Sequence, residues 1–223
     1  FRKLREAGLT RVHIGMESGY DPLLAFIRKG ATAADHVTGG QLIVAAGLSL
    51  SEYVIPGLGG CRWSREHADA TADAINRINP EFVRLRTLHV VPGTDLYDRM
   101  THGEFEPLGD EDILLEIRRF IEGLTVVGTT LVSDHVLNLL EELEGRLPDD
   151  RERLLGTVDR YFGLPEEERR IFRLGRRRGL YRRLDDLADR RVYLRLKEIV
   201  AADDAQAPGQ MEKDLYGIMN RYI

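Results

Sequence analysis

Cysteine is almost missing from this chain. Cys61 stands alone among 223 residues, which excludes a disulfide framework and any metal or iron–sulfur site built from several thiolates of this chain. Long apolar runs are missing too. No stretch approaches the roughly 18 residues that cross a bilayer, and the opening FRKLREAGL lacks the character of a secretory signal. The histidines at 13, 36, 67, 89, 102 and 135 show neither H-x-H nor H-E-x-x-H spacing, so no metal site is expected from them. There is no excess of positive charge either. The formal net charge is -5, which argues against general affinity for nucleic acid. What remains, 43% hydrophobic and 31% charged residues, suits one full domain plus an extension, with a cytoplasmic address as the default expectation. The chain opens on Phe1 rather than Met, in what reads as the end of a helix, so an upstream portion of the protein is expected.

Three βα units follow one another. Phe1 to Glu6 reads as a helix end and Arg11 to Met16 as a strand. Ala33 to Ala46 has helical spacing, Gly47 ends it, and Leu48 to Ile55 is a strand. Ser64 is placed to cap a helix reaching Ile78, and Phe82 to Val91 is the third strand. A period of about 30 to 40 residues between strands suits right-handed crossovers in a parallel sheet. A helix over Asp110 to Leu124 should cover the last strand. Beyond Gly128 the texture changes. Ser133-Asp134 reads as the cap of a helix through Leu140, a second helix is expected over Asp149 to Phe162, and the charged segment from Leu164 is helical. AADDAQAPGQ reads as a linker and MEKDLYGIMNRYI as a short terminal helix. The expected organisation is therefore residues 1–128 as one part and 129–223 as a helical extension. Three parallel strands cannot close a barrel, so the first strand should leave an open edge for an upstream half or another chain.

Ligands of parallel α/β folds lie at the C-terminal ends of the strands, and all three expected strands end in unusual residues. The first, HIGMESG, ends in Glu17-Ser18-Gly19, which either cap the next helix or offer acceptors to a ligand. The second runs into Gly57-Leu58-Gly59-Gly60, either a flexible turn or a place where backbone approaches a ligand closely. The third carries Arg84 and Arg86 on one face, which are either an outer solvated pair or a grip for a carboxylate.

In order and spacing, Gly15-Met16-Glu17-Ser18-Gly19, Lys29-Gly30, Ala46-Gly47-Leu48, Gly57-Leu58-Gly59-Gly60, Pro80-Glu81-Phe82-Val83 and Pro92-Gly93-Thr94 resemble the second half of a radical S-adenosylmethionine (SAM) domain. The resemblance covers residues 1 to about 128. It implies the last three βα units of a partial (β/α)6 TIM-like barrel, followed by an all-helical extension. It also implies SAM and a 4Fe–4S cluster in the complete protein. Glu17 and Ser18 would lie beside the ribose and methionine portion, with Val54, Ile55, Gly57 and Gly59 supporting the adenosyl part. Leu88, His89 and Val91 would flank the adenine. The superfamily's C-x-x-x-C-x-x-C signature and its G-G-E element are absent here, so this chain alone is expected to bind no cluster and to cleave no SAM. The substrate and the catalytic residues stay open.

Other residues admit alternatives. His89 is either a buried, hydrogen-bonded histidine or a ligand residue near a strand tip, and Cys61 is expected to be partly buried. Ser133, His135 and Asn138 either close a substrate side or serve local structure. The arginines from Arg173 to Arg183 suggest RNA. Interleaved acids, Asp185, Asp186, Asp189 and the glutamates at 166–168, favour instead a salt-bridged, solvated helix face. The rival functions are a conventional TIM-barrel enzyme gripping phosphate and a non-catalytic helical module that binds protein or RNA.

Overall fold

The computed structural model describes residues 1–206, 215 and 217–219. Its elements run α1 (Arg2–Glu6), β1 (Arg11–Glu17), α2 (Asp21–Phe26), α3 (Ala33–Ala45), β2 (Ser49–Val54), α4 (Gly60–Ile78), β3 (Phe82–Leu85), α5 (Asp95–Thr101), α6 (Asp110–Gly123), β4 (Thr130–Val132), β5 (Gly145–Arg146), α7 (Arg151–Phe162), α8 (Glu166–Arg177), a 3₁₀ turn (Leu184–Ala188) and α9 (Arg190–Gln206). This is an α/β fold in which three βα units lead into a helical extension, as in the last part of a (β/α) barrel.

The sheet order is β1-β2-β3-β4-β5; the first four strands are parallel and β5 is antiparallel to β4. β1 is thus an edge strand, as the strand arithmetic requires. Side chains alternate across each strand, and the two faces of the sheet differ completely. Leu50, Val54, Val83, Leu85 and Leu131 are buried on the face covered by the helices, each contributing about 1.5–3 kcal/mol of transfer free energy. The opposite face carries a layer of rings and guanidiniums. His13 stacks on Tyr53 at 5.7 Å, the Arg11 guanidinium lies 4.4 Å from the Phe82 ring centre, and that of Arg86 lies 5.1 Å from Tyr53. Arg84 and Arg86 do share this face, and each donates to Asp134 at 2.7 Å. Burial works against the Asp134 carboxylate, but the two guanidiniums outweigh it and hold its pKa below the usual range.

Several boundaries differ from the sequence reading. β3 ends at Leu85, so Leu88, His89 and Val91 follow the strand rather than lie on it. The segment still runs alongside the end of β2, with Arg86 and Leu88 donating to the carbonyls of Val54 and Pro56 at 2.9 Å. α4 begins at Gly60, and its backbone kinks at Trp63 (φ -129°). Ser64 therefore does not cap the start of the helix; its hydroxyl donates to Glu116 instead. Cys61 is exposed rather than partly buried.

Ser133 starts no helix. It follows β4, and its hydroxyl donates to the Leu140 carbonyl across an irregular segment. β4 and β5 are additions to the expected strands, carrying the sheet past residue 128. The linker expected at 201–210 is helical through Gln206. Most of the expected terminal helix lies outside the described residues, within which Leu215 and residues 217–219 are helical. Among the described residues, no helix is long and apolar enough to cross a membrane.

Candidate cofactor-binding site at the strand tips

Glu17 ends β1 at a bulge, where the register against β2 shifts between Gly15 and Glu17, and it adopts φ 68°. Its carboxylate takes a charged hydrogen bond from Lys29 at 2.7 Å. A Cβ on Gly15 would stand 2.7 Å from the Glu17 oxygen, so Gly15 makes room for this ion pair. Gly19 serves a different purpose. A Cβ there would meet the Ala70 carbonyl at 2.3 Å, so only glycine lets the chain leaving β1 press against the backbone of α4.

Ser18 is fully buried. Its oxygen accepts the Tyr20 N–H at 3.0 Å and lies 2.8 Å from Nδ1 of His67. Nε2 of His67 donates to the Ile55 carbonyl at 3.0 Å, which leaves Nδ1 as the acceptor of the Ser18 hydroxyl. Thr71, one turn along α4, accepts the Gly19 N–H at 2.9 Å. Glu116 of α6 completes the set, with one carboxyl oxygen accepting the Gly57 N–H and the other the Ser64 hydroxyl, both at 2.6 Å. Burial pushes the Glu116 pKa up to about 7 against the pull of these two bonds, and burial drives His67 down to about 4. The 3.6 Å approach of His67 Nε2 to Glu116 is therefore a contact of a neutral imidazole, not an ion pair. Together these bonds tie the tips of β1 and β2 to α4 and α6.

Gly57 adopts φ +89°, a left-handed conformation that a branched side chain strongly resists, and a Cβ there would also crowd Ile113 at 3.2 Å. Beside it opens a cleft of about 210 Å³, lined by Gly57, Leu88, Val90, Pro107, Ile113 and Met219 among others. Pockets that enclose a whole drug-sized ligand run to about 300–1,000 Å³, so this cleft suits one portion of such a ligand.

Of the residues singled out from sequence, Gly57 and Leu88 meet at the cleft. Glu17 stands apart from its lining with Lys29, Val54 is buried in the core, and Ser18 is enclosed by the His67 network. A Cβ on Gly59 would meet the Trp63 backbone at 2.8 Å. Ile55 presents its carbonyl to His67, while His89 and Val91 flank the cleft-lining Val90. Asn138 is buried with both ends of its amide used: it accepts from the Thr87 N–H and hydroxyl and donates to the Leu85 carbonyl and the Ser133 oxygen, which fixes the chain leaving β3. His67 and Glu116 were not singled out from sequence. The one sign of Glu116 is its polar side chain at an apolar phase of α6, three residues from Ile113 and one from Ile117. Among the described residues, no three His, Cys, Asp or Glu side chains converge on a metal-sized site.

No family model matches the chain. Two curated proteins are similar to it, the tRNA uridine(34) acetyltransferases of Methanocaldococcus jannaschii (27% identical over 113 residues) and Methanocaldococcus infernus (29% over 116 residues). The chain is similar to a part of these enzymes. Each match covers 50% of this chain and 21% of the relative, so the matched stretch spans about a fifth of the relatives' length. A solved structure, the archaeal M. infernus Elp3 with its N-terminal residues 1–46 deleted, is 27% identical, covering 53% of this chain and 28% of that one with a TM-score of 0.47.

Proposed function

We propose that this chain supplies the nucleoside-binding part of a radical SAM enzyme whose substrate is RNA, completed by an upstream half of the same barrel. The observation that carries the reading is the Gly57 cleft. It lies at the C-terminal tips of parallel strands, and the loop that forms it is held from below by a buried carboxyl on its N–H. The order of the motifs from Gly15 to Thr94 supports the SAM assignment, and the names of the similar enzymes point to tRNA.

The residues present fit the two expected groups unequally. A 4Fe–4S cluster does not fit, because it needs several thiolates and the one cysteine of the sequence is exposed on the first turn of α4. A nucleoside fits better. Leu88 and Val90 provide an apolar wall, Gly57 brings backbone close without a side chain, and Glu17 with Lys29 forms a charged pair at the next strand tip. When bound, with its cluster held elsewhere, the nucleoside cofactor would supply radical chemistry at these strand tips. The task of this chain is to orient the nucleoside and exclude water around it. On this reading, residues 1–128 form the cofactor part and 129–223 the extension beside it.

The test is anaerobic cluster reconstitution of the complete protein, with 5′-deoxyadenosine as the product followed. Glu17→Ala is expected to lower its formation at least tenfold while leaving the thermal transition within a few degrees. Unchanged formation would remove Glu17 from the site, and no SAM-derived product from the reconstituted wild type would end the radical SAM reading.

A further inference from the structure

The arginines of the helical extension fall into two populations, and only one is used by the fold. Arg176 and Arg177 are buried at 5% and 2% exposure, and they pair with Glu141 and Asp110 while donating to the carbonyls of Val136, Leu137 and Asn138. The salt bridges expected from sequence are present for this pair, but the pair is internal rather than solvated.

Arg178, Arg182, Arg183, Arg190, Arg191 and Arg195 are all exposed, and among the described residues none has an ion-pair partner. They lie along the segment that leads from the end of α8 into the first turns of α9. Arg178 directly follows α8, Arg190 and Arg191 open α9, and Arg195 lies one turn above Arg191.

The acids of the connection, Asp185, Asp186 and Asp189, are committed elsewhere, and Glu167 pairs with Lys197. Asp185 pairs with Arg160. Asp186 accepts the backbone N–H groups of Arg182 and Arg183, at 2.6 and 2.9 Å. Asp189 accepts those of Arg191 and Val192, at 3.0 and 3.1 Å, and so caps α9. Glu142 takes the Leu184 N–H at 3.4 Å. These carboxylates hold the connection in shape and form no ion pair with the six guanidiniums, of which that of Arg190 lies 5.8 Å from the Tyr193 ring centre.

Apart from the Arg190–Tyr193 contact, that arrangement works against the helix. Cations in the first turn of a helix oppose its dipole, and like charges four residues apart, as at Arg191 and Arg195, destabilise a helix by about 0.2–0.5 kcal/mol. An anionic partner reverses both costs, and the guanidinium fork matches phosphate oxygens two at a time.

We propose that the segment from Arg178 to Arg195, between the end of α8 and the first turns of α9, is a docking surface for the phosphate backbone of RNA, contacted by Arg178, Arg182, Arg183, Arg190, Arg191 and Arg195. The choice of RNA rests on the substrate reading above. Leu196 and Val200 of α9 are buried within the fold, so two exposed leucines, Leu180 and Leu194, stand against six exposed arginines, a balance that favours a polyanion over a bilayer.

The experiment is filter binding of the 223-residue chain to unmodified tRNA over a range of KCl concentrations, comparing wild type with R182E/R183E/R190E/R191E and with the four-lysine counterpart. Because these side chains are exposed, the lysine variant is expected to keep the wild-type thermal transition, and the charge-reversed variant to keep or slightly raise it, since acids suit the first turn of α9. The charge-reversed protein should bind tRNA at least tenfold more weakly with a shallower salt slope, each lost phosphate contact removing about 0.7–0.9 from it. The lysine variant should retain most of the affinity. Equal affinity and slope in the charge-reversed protein overturn the proposal. So does a wild type that ignores tRNA but binds vesicles of phosphatidylcholine and phosphatidylserine. Binding of S-adenosylhomocysteine, measured on the complete wild-type protein, separates the two readings: its absence defeats the cofactor assignment and leaves the docking surface standing.

Discussion

The strand tips and the helical extension meet the same problem, an irregular loop that must hold one shape, and solve it with opposite charges. At the tips the loop after β2 presents an N–H, that of Gly57, and an acid on α6 holds it. In the extension the segment after β4 presents carbonyls, those of Val136, Leu137 and Asn138, and two arginines on α8 hold them. The sign of the buried charge follows from which backbone groups the loop leaves unpaired. The two devices also differ in what they leave over. The arginine clasp seals its loop inside the fold, whereas the Glu116 device secures the floor of a cleft that stays open.

Breaking the clasp should cost most. Arg177→Met leaves Asp110 without its guanidinium and the Leu137 carbonyl without its donor, so about 3–5 kcal/mol of stability should be lost. Denaturant unfolding measures it, and a loss below about 1 kcal/mol would mean that the clasp is redundant. Glu116→Ala comes next, at about 1–3 kcal/mol for the stranded donors. Glu116→Gln should recover much of that loss, since an amide oxygen still accepts from Gly57. Equal losses for the two would show that the carboxyl's space, not its hydrogen bonds, matters.

The last test sharpens the contrast with an acid that has neither role. Glu52 is fully buried on the helix-covered face, beside Ile14 and Val83 in the register, and neither carboxyl oxygen has a hydrogen-bond partner. Burial pushes its pKa up to about 8, from 4.5 in the unfolded chain. The folded state therefore holds this proton more tightly. The stabilising difference is complete below about pH 4.5 and is lost as pH rises toward 8. Thermal melts from pH 7 to 9, above the range in which the buried neutral His67 acts the opposite way, should show wild-type stability falling, and Glu52→Gln should flatten part of the fall. If the two curves stay parallel, the Glu52 carboxyl reaches a partner or water when the protein breathes.

The sequence disclosed what repeats and concealed what is brief or distant. β1, β2, α6 and α7 stood out because their apolar residues recur with a strand or helix period over six residues or more. β4 and β5, of three and two residues, are too short to carry any alternation. The false cap at Ser133 has a physical cause. A serine caps only when free N–H groups of a helix follow it, and here the next residues are held by arginines some 40 positions away. At the site, the glycines of the β2 tip were legible, but the groups that shape it were not. His67 and Glu116 lie on different helices and meet only through the packing of α4 on α6. Glu52 carried a legible signal that went unused, a charged residue in the same strand phase as Leu50 and Val54.

The sheet's two margins are unequal. At one end β5 offers only two residues, too short to template another strand. At the other, β1 offers seven, ending in Glu17. Growth of this sheet is thus directional: a newcomer from any source zips along Arg11 to Glu17 or not at all. The Glu17–Lys29 pair stands at the seam where old and new surfaces would join, which makes it the first chemistry that an added strand would touch.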